Sequence, residues 1–162
     1  MTAAAPASLL HPEHIAMIDK GISAIVGSRN AANRPSVMRA VGTGISADGT
    51  EVTVFLARSQ SRQLLQDLAA TGEIAVVFSE PLSHRTVQVK ARQVRLRAAD
   101  EGDLPLLRRY LASMEHEIGC IGFDARFVRT VLAHRLDDTV AVSFAPEQAF
   151  DQTPGPGAGS AL

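Results

Sequence analysis

Five residues between positions 39 and 62 have the side chains needed to grip a multiply charged anion: Arg39, Arg58, Ser59, Ser61 and Arg62. A guanidinium presents paired N–H donors to phosphate or carboxylate oxygens, and a hydroxyl adds a further donor. Leu64, Leu65 and Leu68 follow at helical spacing, so a helix begins near Ser59 or Ser61. Its first backbone N–H groups are unpaired and carry the positive end of the helix dipole. Arginines, hydroxyls and a helix N-terminus together make a phosphate cradle. A structural use of the same residues is a serine N-cap with solvated arginines.

The elements that must position these groups are a hairpin and the helix after it. Val37, Arg39, Val41, Thr43 and Ile45 alternate with Met38, Ala40, Gly42 and Gly44, which predicts one strand with two different faces. Ala47-Asp48-Gly49-Thr50 predicts a two-residue type I′ turn, and Glu51 to Ala57 the return strand. With Asp48 and Gly49 in the loop, Ala47 faces Thr50, Val41 faces Leu56 and Arg39 faces Arg58. Like charges directly opposite are unfavourable unless a negative group lies between them. A slip of one residue would turn Arg39 to the other face.

The remaining elements follow from pattern. Pro12 starts a short helix that Gly21 ends, and Ile22 to Gly27 is a buried strand. The cradle helix spans about Ser61 to Ala70, closed by Thr71-Gly72. Glu73 to Ser79 is an apolar strand, and His84 to Ala98 a long alternating one that bends around a barrel. Leu104, Leu107, Tyr110, Leu111 and Met114 form one stripe of a helix that Asp100 caps and that runs to about Glu117. Asp124 caps another short helix, and Thr139 to Phe144 is a last strand. Residues 1–10 read as a loose lead-in, 11–150 as one domain and 151–162 as a Pro/Gly-rich tail. The fold class is mostly β with α (α+β), a six-stranded antiparallel split β-barrel with short peripheral helices.

Three motifs are set aside. Gly42-Thr43-Gly44-Ile45-Ser46-Ala47 matches a dinucleotide-binding string, but a turn and a strand follow it where that site needs a helix. Its glycines fit a barrel bend or a close approach. His116-Glu117-Ile118-Gly119-Cys120 starts like a helical zinc motif, yet Gly119 marks a helix end, so no metal site is expected. No G-x-S-x-G elbow accompanies any histidine, and no catalytic residue can be named.

Composition limits the partners. A formal charge of −1 gives no overall attraction to nucleic acid or anionic membrane. The single Cys120 fits a reducing compartment, and no leader or apolar span is visible, so a cytoplasmic location is expected.

The order of these pieces resembles the pyridoxamine 5′-phosphate oxidase-like family of FMN-binding split barrels. The resemblance runs from about Ile22 to Leu96 and is carried by Arg34-Pro35-Ser36-Val37-Met38-Arg39-Ala40-Val41, by Val54-Phe55-Leu56-Ala57 with Ser61-Arg62-Gln63, and by Arg85-Thr86-Val87-Gln88-Val89-Lys90-Ala91. It implies that Arg39, Ser61 and Arg62 bind the FMN phosphate, with Arg58, Ser59 and Gln63 beside them. It also implies that backbone or side chains around Val41, Leu56 and Ala57, with Ala40 beside them, line the flavin ring and that Gln88 is a hydrogen-bond candidate for it. Gln63 stands where the family often has Lys, Ala57 replaces a hydroxyl residue, and Thr86 takes the usual Gln position. The basic C-terminal substrate motif of the true oxidase is missing, so pyridoxamine phosphate is not the expected substrate. The resemblance implies a homodimer with FMN at the subunit interface, an oxidoreductase moving hydride or electrons to a small organic molecule. The alternative is a binding protein without turnover that holds flavin, haem or a deazaflavin for sequestration or sensing.

Overall fold

Alternating side chains build two antiparallel sheets that face each other across one core. A computed structural model describes residues 8–162, so residues 1–7 of the expected lead-in lie outside the described residues. The strands are β1 (Ser23–Arg29), β2 (Pro35–Arg39), β3 (Gly42–Ile45), β4 (Val52–Ala57), β5 (Ile74–Ser79), β6 (Thr86–Ala91), β7 (Val94–Ala98), β8 (Thr139–Phe144) and β9 (Gln148–Asp151). The helices are α1 (Pro12–Lys20), α2 (Arg62–Thr71), α3 (Leu104–Cys120) and α4 (Ala125–Val131). One sheet has the order β2-β1-β5-β6-β9 and the other β3-β4-β8-β7.

The α+β class and the antiparallel pairing are as expected, with nine strands in two sheets where six strands of a split barrel were expected. Nine strands arise because two expected strands each break at a corner and join both sheets. Ala40 N–H donates to the Ala24 carbonyl at 2.9 Å while Val41 N–H donates to the Phe55 carbonyl at 2.8 Å, so the chain changes sheet between adjacent residues. The long alternating segment does the same between β6 and β7, at Arg92-Gln93. Two sheets enclosing one core need such corners. The ninth strand, β9, follows the last expected strand and runs up to the Pro/Gly-rich tail; it pairs with β6, and the chain end folds back on it through Phe150 and Ala161.

The hairpin register is the expected one, with Gly42 opposite Phe55 and Ile45 opposite Val52. The turn differs. Gly49 alone takes positive φ, at 71°, while Asp48 does not, and Ser46 N–H donates to the Glu51 carbonyl around a four-residue loop. Asp48 instead braces the loop by accepting from Ser46 Oγ at 2.6 Å and Thr50 Oγ1 at 2.8 Å. The hydrogen bond from Ser46, then those from Thr50, hold its carboxyl down to about 2.

Val26, Val76, Phe78 and Val89 of one sheet pack against Val54, Leu56, Val142 and Phe144 of the other, with Leu64 and Leu68 of α2 closing one end. The opposite face of the β3–β4 pair lies under α3, where Phe55 and Leu107 meet. A Cβ at Gly42 would stand 2.6 Å from the Leu107 side chain, so the glycine string serves a close helix contact. The α3 helix continues past Glu117 to Cys120; among the described residues no group of three or more metal-binding side chains exists. No described helix is long and apolar enough to cross a membrane.

Candidate functional site

The turn from β4 into α2 carries the charge that the sequence places there. Gln60 N–H donates to the Ala57 carbonyl and Ser61 N–H to the Arg58 carbonyl, so the backbone coils tightly before α2 begins at Arg62. Arg58 and Arg62 are exposed, and among the described residues neither guanidinium has a hydrogen bond or an ion pair. Ser61 stands at the N-cap position, yet its hydroxyl caps nothing. That oxygen is buried without a partner, a state that costs roughly 1–3 kcal/mol unless something satisfies it.

Two other expected contributors are engaged elsewhere. Arg39 lies on β2 opposite Ile25, and its guanidinium donates to Ser23 Oγ at 2.8 Å. The expected pairing of Arg39 with Arg58 therefore does not occur, because the sheet change at Ala40 takes Arg39 out of the hairpin. Ser59 donates through its N–H at 3.1 Å and its hydroxyl at 2.5 Å to the Asp138 carboxylate. An acid thus occupies donors that an anion could otherwise use.

The remaining positions make contacts within the fold. Ala40, Val41, Leu56 and Ala57 are all buried, Leu56 in the core between the sheets and Val41 and Ala57 beneath α3. Their side chains pack inside the chain, so a contact from these positions to a ring would run through the backbone. Gln63 donates to Asp67 at 2.9 Å, and Asp67 in turn accepts from Ser36 at 2.6 Å, tying α2 to β2. Gln88 faces outward on β6 between Val77 and Phe150, with Gln152 donating to it at 3.4 Å.

Pattern reading missed the outward face of the five-stranded sheet. The register aligns Ser23 with Ser79 and Ser79 with Thr86, and the last two hydroxyls bond at 2.8 Å. Arg39 completes this polar row through Ser23. Farther along the same face a groove of about 450 Å³ opens between Val37 and Lys90 over Gly27 and Ala75. Ile22 to Gly27 reads from its apolar run as a buried strand, whereas in the structure only Ala24 and Val26 of β1 are buried and the alternate residues face outward; which residues share a row depends on long-range pairing.

The α2 turn brings together two guanidiniums without a partner among the described residues, a buried hydroxyl without one, and the N-terminus of a ten-residue helix, the kinds of donor a phosphate needs.

No protein-family model and no curated protein matches the sequence. Solved structures do match in fold. A candidate pyridoxamine 5′-phosphate oxidase from Lactobacillus delbrueckii superposes with a TM-score of 0.54 at 13% identity, over 87% of this chain and 93% of that one. An F420 reductase gives 0.56 at 12% identity, over 83% and 93% of the two chains. The haem storage protein HutZ of Vibrio cholerae gives 0.50 at 15% identity, over 88% and 94%. The chain has the fold of the pyridoxamine 5′-phosphate oxidase-like proteins.

Proposed function

We propose that this chain binds FMN as a homodimer, with the cofactor between two copies, and acts as an oxidoreductase on a small organic molecule. The observation behind this reading is the turn into α2, where Arg58 and Arg62 stand unpaired beside a buried Ser61 hydroxyl that has no partner. A phosphate there would gain two charge-assisted contacts and the favourable end of a ten-residue helix. The fold supports it, since an F420 reductase and a candidate pyridoxamine 5′-phosphate oxidase share it. Bound FMN supplies hydride or electron transfer. Arg58 and Arg62 balance the phosphate charge, Ser61 fixes it, and Asp138 restrains Ser59 at the edge. A second copy supplies the ring contacts that Val41, Leu56 and Ala57, being buried, do not.

Titration of FMN into the purified protein, followed by flavin fluorescence, tests the cradle. Arg62→Ala should weaken binding roughly ten- to hundredfold, the value of a charge-assisted hydrogen bond of about 1.5–3 kcal/mol. Arg126→Ala, an exposed arginine on α4, should leave it unchanged. Equal effects of the two substitutions would overturn the assignment.

A further inference from the structure

We infer that His116 and Cys120 form half of a tetrahedral metal site, which a second copy of the chain completes with the same pair around a thiophilic divalent cation such as Zn²⁺. Gly119 suggests from the sequence that the helix stops short of Cys120; in the structure α3 runs through Gly119 and ends at Cys120. His116 and Cys120 therefore stand one helical turn apart on the same face. Cys120 Sγ lies 3.8 Å from His116 Nε2. Two ligands of one tetrahedral zinc, with Zn–S near 2.3 Å and Zn–N near 2.0–2.1 Å, are about 3.6 Å apart. The pair needs almost no movement to take the ion. On binding, the thiol gives its proton to solvent and the imidazole donates its unprotonated nitrogen.

The surroundings favour a cation. α3 is seventeen residues long and has no basic residue in its last turn, so the negative end of its dipole meets the pair without a side-chain cation to offset it. The nearby arginine that α4 brings against α3, Arg129, is engaged with Glu115 at 2.6 Å. Both ligands are exposed, and among the described residues neither side chain has another hydrogen bond. One chain supplies two ligands and no described group of three, whereas a structural zinc site takes four. A copy related by a twofold axis offers the missing two from the same surface. That surface is open, since a Cβ added at Gly119 or Gly122 would meet nothing within 4 Å. It is also apolar beside the ligands: Ile121 is 45% and Phe123 51% exposed, and the Phe123 ring stacks on that of Phe127. Two copies joined by the ion would cover these side chains, which adds a hydrophobic gain to the coordination. Arg58, Ser61 and Arg62 take no part, so the site does not depend on the FMN reading.

Co²⁺ titrated into the full chain, with a phosphine reductant present to prevent disulfide formation, reports the ligands directly. A tetrahedral thiolate site gives a sulfur-to-cobalt charge-transfer band and intense visible d–d bands, and both are expected to saturate at one ion per two chains. In sedimentation, Zn²⁺ should double the mass from whatever value the metal-free protein has, and EDTA should reverse it. Cys120→Ser and His116→Ala should each abolish the bands and the doubling. His116→Cys, which keeps a ligand at that position, should preserve both, and His11→Ala, at an exposed histidine before α1, should change neither. Absence of a thiolate band, bands or doubling that survive His116→Ala, or an ion bound to each chain with no change of mass would overturn the proposal. FMN titration of the metal-free protein reports on the α2 cradle separately, so either reading can fail without the other.

Discussion

Asp138 shows how closely a side chain can compete with a ligand. Its carboxylate takes both donors of Ser59, at the mouth of a turn that otherwise gathers positive charge. Replacing Asp138 with Asn removes a negative charge beside the cradle, so FMN binding should tighten roughly two- to fivefold, the range of an exposed charge interaction. Weaker binding by fluorescence titration would mean that Asp138 positions the cradle instead of competing with it. Tyr110 makes a different prediction. It lies on the buried face of α3, with its hydroxyl near the Ala24 backbone and the Arg39 guanidinium but outside hydrogen-bond geometry, and burial pushes its pKa up to about 12. A folded pKa raised above the ordinary 10 gives stability that is fully present below pH 10 and lost as pH rises through about 12. Chemical denaturation across that range should show a decline that Tyr110→Phe reduces; an identical decline in the variant would remove Tyr110 as its cause.

Elements were legible where local chemistry specifies them. Asp48-Gly49 between two alternating runs predicts the β3–β4 register, and the observed pairs agree. Pro12, Gly72 and Asp124 mark helix ends correctly: Gly72 takes φ 71° after α2, and Asp124 accepts from Phe127 N–H. The sheet change at Ala40-Val41 was not legible, since nothing in the apolar pattern from Val37 to Ile45 is interrupted there. That one corner takes Arg39, alone of the five cradle residues, out of the hairpin and away from Arg58. Asp100 was expected to cap a helix directly; it caps a short 3-10 turn, Glu101–Asp103, that leads into α3. Asp103 then closes the joint by accepting both Arg97 amino groups at 2.7 Å and the Asp100 N–H at 2.9 Å. The Arg97 hydrogen bonds hold the buried Asp103 carboxyl below its usual range. The stability this supplies is present above the ordinary carboxylate value, about pH 4, and is lost as pH falls through the lowered one. Asp103→Asn should therefore destabilise the fold by about 1.5–3 kcal/mol at neutral pH in urea melts and by much less near pH 2. A pH-independent loss would show that packing, not charge, is what Asp103 provides.

At the scale of the whole molecule, two sheets share one core and leave their functional chemistry on the outside. The net charge of −1 is small, so any attraction for an anion is local, as at the exposed Arg58 and Arg62 of the α2 turn. The shared fold with an F420 reductase and with a haem storage protein joins proteins named for different cofactors. Fold alone therefore leaves the cofactor to be decided by the side chains that face it. The absorbance spectrum of the protein as purified, repeated after adding FMN and removing the excess, bears on that choice most directly. Retained flavin bands at one FMN per chain are the expected result. A Soret band, or a colourless protein that retains no FMN, would contradict it.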